Sequence, residues 1–292
     1  MTQAPPAHAE SKATGSSRQL SEPAKDQIDI PELIPAPAGI MYSCFGEKYI
    51  AEAARAARSS LRHNDIPHLI FAGGEVRDPP AGVTVVGFEP ISSAPFVDRI
   101  ANMRRSPFER TLYLDADTFV ADEMVGVFEL LDHYDLALAQ APAYRGLDDP
   151  EVPAAFPEFN CGVIAWRSSE SVATFLRSWE ETHRAWLGED VLPGLHGGAQ
   201  PSRSEIGDQP AFRRCAWQHG MRVATLPPEY NLRLGFPTTV VDRVRLLHGH
   251  TRRFETYARQ YNSKIGPRSY PQERLIRRLG GRVYGRLRRS VR

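Results

Sequence analysis

The segment from Glu109 to Val120 sets the strongest constraint on how this chain folds. An apolar run of Leu112, Tyr113 and Leu114, led by Thr111, delivers the chain directly to Asp115 and Asp117, with only Ala116 between them. So short a run reads as a buried strand, and at a strand's period of two both carboxylates point the same way. Carboxylates this close repel one another, and buried charge is costly unless it is paired. The strand therefore has to end at an opening, opposite something cationic.

The surrounding pattern supplies the setting. Residues 1–38 are rich in Pro, Ala and Ser, show no periodicity, and read as a disordered arm. Order is expected from Gly39, with a strand over residues 40–43 that breaks at Gly46. A helix follows, its apolar face carrying Tyr49, Ile50, Ala53, Ala54, Ala57 and Leu61. Residues 68–74 and 83–88 are short apolar strands bounded by Gly and Pro, and 94–105 reads as helix. The strand ending at Asp115 is then the fourth of a β–α–β alternation. That is the pattern of an α/β domain with a mainly parallel sheet and helices on both faces.

Further along, residues 122–132 read as helix and 136–140 and 159–166 as strands. An amphipathic helix carries Val172, Phe175, Leu176, Trp179 and Trp186, the tryptophans as core. The Pro-rich loop 142–157 and the Gly-rich stretch 188–205 are long enough to be functional loops. Pro210 is placed to open a helix that Gly220 closes. Two last strands follow, the second ending at His248. In sheets of this kind ligands bind beyond the carboxyl ends of strands, where Asp115, Asp117 and His248 all fall.

Composition excludes several classes. No run of 18 apolar residues occurs, so no transmembrane helix is expected, and the N-terminus lacks the basic-then-apolar order of a secretory signal. Cys44, Cys161 and Cys215 are too scattered for a disulfide framework or a Cys-x-x-Cys site and read as reduced core residues, which suits a cytoplasmic protein. Residues 268–292 hold nine arginines against one acid, Glu273, a local charge of +8. With +1 over the whole chain, the rest carries −7, which argues against a nucleic-acid-binding body.

A divalent metal answers the question the two carboxylates raise. Carboxylate oxygens suit Mg²⁺ or Mn²⁺, and an imidazole such as His248 tilts the preference to Mn²⁺. The ordered set "YLDADTFV", "FNCGVIAWR", "GDQPAF" and "LLHGH" resembles the nucleotide-sugar glycosyltransferases of the Asp-x-Asp type, with the GT-A fold. Nearest among them are the glycogenin-like retaining enzymes of glycosyltransferase family eight and related bacterial enzymes. The resemblance spans roughly residues 40–255 and rests on the ordered combination, since Asp-x-Asp alone is weak.

The resemblance implies a single GT-A-type domain over residues 39–262 that moves a sugar from a nucleotide diphosphate, UDP above others, to an acceptor hydroxyl with retention. It implies that Asp115, Asp117 and His248 hold the metal, with His250 the alternative third ligand. Asp208 and Gln209 would lie under the sugar near its anomeric carbon, and Asn160 and Gly162 beside it. Ser43, Tyr49, Arg99 and Ala116 would touch the donor. The family's His-x-x-Gly-x-x-Lys-Pro-Trp ending is replaced by "HGHTRRF", so Arg252 or Arg253 is expected in place of the lysine that meets the leaving phosphate, with a different, bidentate geometry.

Other readings stay open at this level. Asp208 suits an ordinary helix-entry residue ahead of Pro210, and Arg99 a solvated helix residue. An Asp-x-Asp phosphohydrolase would need a downstream lysine, and Lys264 is the only lysine after Asp115. A sugar-nucleotide-binding protein without turnover would not need Asp208 and Gln209. In the tail 263–292, Leu275, Leu279, Val283, Leu287 and Val291 recur every four residues among arginines. That pattern suits peripheral contact with an anionic membrane at the inner face, where a lipid-linked acceptor would also sit. Gly280, Gly281 and Gly285 each weaken such a helix by about 1 kcal/mol. Glycan and protein acceptors are equally open.

Overall fold

A computed structural model describes residues 35–90, 95–142, 149–188 and 207–270. The basic, amphipathic stretch 271–292 and most of the Gly-rich stretch 188–205 lie outside the described residues, as do residues 1–34. The elements, in chain order, are β1 (Ala36–Phe45), α1 (Glu47–Ser60), β2 (His68–Gly73), β3 (Val83–Gly87), α2 (Pro95–Met103), β4 (Phe108–Leu114) and β5 (Thr118–Val120). A 3-10 helix at Val125–Asp132 leads to β6 (Leu136–Gln140), β7 (Phe159–Arg167), α3 (Glu170–Gly188), α4 (Gln209–Gln218) and β8 (Val223–Leu226). The chain continues through β9 (Leu232–Arg233), β10 (Thr238–Val240), β11 (Leu246–His248), α5 (Phe254–Tyr261) and β12 (Arg268–Tyr270).

Seven strands form one mixed sheet in the order β3-β2-β1-β4-β7-β6-β8. Its pairs are parallel except β4–β7 and β7–β6, so the expected mainly parallel α/β architecture is observed. Strand period divides the core in two. Met41, Tyr113, Ile164 and Trp166 face the side covered by α2, α3 and α4, where Trp179, Phe175 and Phe212 are packed. Ile40, Tyr42, Leu112, Leu114, Val163 and Ala165 face the other side, with Ala53 and Ala57 of α1 and Val127 and Leu131 of the 3-10 helix. The three cysteines are free and buried, and Trp166, Trp179 and Trp186 are core side chains.

Two topological facts position the site. From β1 the sheet grows one way through β2 and β3 and the other way through β4, so the carboxyl ends of β1 and β4 flank a switch point, where ligand crevices form. β7 runs antiparallel to β4, with Leu114 opposite Val163. Its amino end, from Phe159 to Gly162, therefore lies beside Asp115.

Local patterning missed several pieces. Residues 118–120 form a strand ahead of the 3-10 helix, rather than a loop into a regular helix, because β11 captures them in a small sheet ordered β5-β11-β9. β1 extends past residues 40–43 at both ends. Tyr49, expected on the apolar face of α1, is 47% exposed, while Ile50 beside it is the first-turn residue that packs into the core. Gly46, at φ 81°, makes the sharp exit from β1 into that helix. Among the described residues no helix is long and apolar enough to cross a membrane.

Candidate active site

Asp115 leaves β4 with its backbone still paired, its N–H donating to the Gly162 carbonyl at 2.8 Å. Thr118 then donates from N–H (3.2 Å) and Oγ1 (2.7 Å) to the Asp115 carbonyl, closing a tight turn over residues 115–118. This turn, rather than strand alternation, brings the two carboxylates together. His248 pairs with Thr118 across β5 and β11, and Gly249 N–H donates to the Asp117 carbonyl at 2.9 Å. The His248 ring is thereby aimed back at both acids. Its Nε2 lies 3.3 Å from Asp117 Oδ1 and 3.7 Å from Asp115 Oδ2, and the three residues present ligand atoms within 4.8 Å of one another.

The chemistry of this donor set fits a divalent cation. The His248 ring is buried, and Nδ1 contacts Asn231 Oδ1 at 2.9 Å. Asn231 Nδ2 donates to Asn160 Oδ1 at 2.9 Å, Asn160 Nδ2 to Gln209 Oε1 at 2.8 Å, and Gln209 Nε2 to Glu158 Oε1 at 2.9 Å. The row runs one way, each amide NH₂ donating to the next oxygen and the last to the Glu158 carboxyl. Asn231 is left presenting its oxygen to Nδ1–H of His248, which leaves the lone pair on Nε2. Nε2 then faces both carboxylates, a donor set that could hold a divalent cation.

Gly162 completes the cradle. A Cβ there would lie 2.2 Å from His248 Cε1 and 2.5 Å from Asp115 Oδ2, so only glycine lets β7 approach these ligands. His250 sits at the rim with its side chain 57% exposed, 3.7 Å from Asp117 and 3.6 Å from Glu52. His248 is the inner of the two histidines.

Arg99 of α2 is buried and binds two acids at once. Nη1 donates to Asp115 Oδ1 at 2.9 Å and Nη2 is paired with Asp208 Oδ2. Burial opposes its charge, but Asp115 above all more than compensates, and the pKa is raised. The guanidinium also lies over the rings of Phe96 and Tyr113, and Tyr113 donates its hydroxyl to Asp115 at 2.8 Å. Arg99 is thus an internal brace rather than a solvated residue. Asp208 stands at the N-cap position of α4, yet its side chain makes no capping bond and is spent on Arg99. Pro210 occupies the second residue of α4, after Gln209.

These groups line one cavity of about 810 Å³, the size of a small-molecule site. Its walls include Ser43, Tyr49, Arg99, Asp115, Ala116, Asp117, Gly162, Asp208, Gln209 and His248, along with Phe45, Phe88 and Arg233. Ser43 accepts from Asn102 Nδ2 at 3.0 Å. Asn160 is buried just behind the wall, holding Gln209. Arg252 and Arg253 are exposed and lie outside this lining, as does the exposed Lys264. Sequence reasoning passed over Arg233, Asn231 and Glu158. Only the pairing of β9 with β11, which sets Arg233 beside His248, brings the first two to the site.

No protein-family model and no curated protein matches the sequence. Among solved structures the chain is similar to the galactosyltransferase LgtC in complex with donor and acceptor sugar analogs, at 13% identity over 73% of this chain and 87% of that one, with a TM-score of 0.48. It is also similar to the glycosyltransferase GlyE of Streptococcus pneumoniae TIGR4, at 15% identity over 79% of this chain and 57% of that one, with a TM-score of 0.48. Mouse xyloside xylosyltransferase 1 is similar at 16% identity over 74% of this chain and 98% of that one, with a TM-score of 0.45.

Proposed function

We propose that this chain is a metal-dependent glycosyltransferase of the GT-A type, transferring a sugar from a nucleotide diphosphate, UDP above others, to an acceptor hydroxyl with retention. The observation that carries the reading is the junction in one cavity of two units: Asp115, Asp117 and His248 gather ligand atoms that could hold a cation, and the amide row Asn231, Asn160 and Gln209 ties them to the adjacent floor. A lone metal site or a lone polar pocket would fit many activities; the linked pair fits a substrate with a diphosphate at one end and a polar ring at the other.

Asp115, Asp117 and His248 would hold Mn²⁺ or Mg²⁺, which supplies Lewis-acid stabilisation of a departing diphosphate. The chain's own groups do the rest. Gln209, with its amide fixed at both ends, presents a preset dipole toward positive charge developing at a sugar carbon. Asp208, paired with Arg99, sets a carboxylate beneath the same spot. Phe45, Tyr49 and Phe88 offer apolar wall to a base near Ser43. A phosphohydrolase of the Asp-x-Asp kind is disfavoured, because the lysine it requires is not at the cavity.

The test is a donor-consumption screen with UDP-, GDP- and other nucleotide sugars. Activity is expected with Mn²⁺, to vanish with chelator, and not to be restored by Mn²⁺ in Asp117→Ala. Full turnover by chelator-treated protein would overturn the metal reading. Tight donor binding with no turnover under any acceptor would favour a binding protein.

A further inference from the structure

Arg233 lies on β9 directly beside His248 of β11 and lines the cavity. Its Nη1 reaches His248 Nε2 at 3.2 Å and Nδ1 at 3.4 Å. The nearer atom is the one a cation held by Asp115 and Asp117 would take. Near-equal distances to both ring nitrogens set Nη1 over the face of the imidazole rather than on its in-plane lone pair, so a cation taken by Nε2 would have this guanidinium as its neighbour.

Arg99, the other arginine of the cavity, has both terminal nitrogens engaged by Asp115 and Asp208. Arg252 and Arg253 lie outside the cavity lining. A diphosphate bound to a divalent ion between two aspartates leaves net negative charge, which an adjacent planar fork can meet bidentately.

We infer that Arg233 is the leaving-group arginine of this site: it rests on His248 while the cation site is open and donates to the diphosphate when the site is filled. This rests on the glycosyl-transfer reading above. As the anomeric C–O bond breaks, its electron pair stays on the phosphate oxygen, and Arg233 hydrogen bonds spread that charge without giving up a proton. The role expected of Arg252 or Arg253 thus falls to a residue fifteen positions before His248.

The experiment is calorimetric titration of the full chain, first with Mn²⁺ alone and then with UDP or GDP in saturating Mn²⁺. The wild type, Arg233→Gln and Arg233→Lys are compared, with folding checked by circular dichroism. Arg233→Gln should bind Mn²⁺ at least as tightly as wild type, because a neighbouring positive charge is gone. It should bind the nucleoside diphosphate about tenfold or more weakly, and Arg233→Lys should fall between. Unchanged nucleotide affinity in Arg233→Gln overturns the inference, as does a parallel loss of Mn²⁺ and nucleotide. If Arg233→Gln does not fold, nucleotide affinity in Arg233→Lys equal to wild type overturns it. Wild-type protein that binds Mn²⁺ but neither nucleotide would sink the donor reading itself, a result distinct from a failure of Arg233 alone.

Discussion

Replacing Gly162 by alanine would place a methyl carbon 2.2 Å from His248 Cε1 and 2.5 Å from Asp115 Oδ2. Non-bonded carbons settle at about 3.5–4.0 Å, so the imidazole or the strand must move by more than about 1 Å. The backbone offers no other objection, since Gly162 is not among the positive-φ glycines and sits in a regular strand. The cost is therefore steric and local. Overpacking of this kind typically costs about 1–3 kcal/mol. If the chain relieves it by pushing His248 aside, the same free energy reappears as about 10- to 100-fold weaker Mn²⁺ binding. Mn²⁺ calorimetry, with a thermal melt of the metal-free protein beside it, reads both channels. Wild-type Mn²⁺ affinity together with a wild-type melting temperature would refute the close approach of β7 to the ligands, and with it the construction of the site.

Two further perturbations probe the braces around the site. His183 of α3 is fully buried, and among the described residues neither ring nitrogen has a hydrogen-bond partner; burial first, and Arg99 second, lower its pKa to about 4. Its unfolded form takes a proton near pH 6.5 while the folded form resists, so stability should fall as pH drops from 6.5 to 4, by roughly 3 kcal/mol over that window. His183→Met should flatten that part of a urea-unfolding pH series, and an unchanged slope would remove His183 as the cause. Arg99→Met strands the buried Asp208 carboxylate and should cost about 3–5 kcal/mol; urea unfolding within 1 kcal/mol of wild type would show that Arg99 braces nothing.

The sheet was legible because its strands are short apolar runs punctuated by Gly and Pro, and period two sorts Met41 from Ile40 and Tyr113 from Leu112 onto opposite faces. Asp115 and Asp117 announced themselves for the same reason, as charge where an apolar run stops. What local pattern does not carry is pairing between distant short segments. β5 and β9 span three and two residues, too few for any period to register, and they exist through β11 alone. Arg233 was therefore invisible as a site residue, while Arg252 and Arg253 looked eligible by nearness in sequence to His248. Tyr49 shows the opposite error. Its spacing fits the apolar face of α1, but in that first turn Ile50 takes the core position while Tyr49 stands at the cavity.

The amide row explains why the two halves of the site are hard to separate by mutation. Four consecutive hydrogen bonds run from Glu158 through Gln209, Asn160 and Asn231 to His248. Each amide has one donor end and one acceptor end, so reversing any member leaves two donors or two acceptors face to face. In the polarity observed, Asn231 turns its oxygen to Nδ1 of His248 and so points Nε2 at the two aspartates. The same row holds Gln209 against the cavity floor beside Asp208, whose carboxylate shares Arg99 with Asp115. The Asp115–Asp117–His248 cluster and the floor are thus joined twice, once by amides through β7 and once by a guanidinium from α2. A substitution at Asn160 should disturb His248 and Gln209 together, since it removes the link through which each sets the orientation of the other.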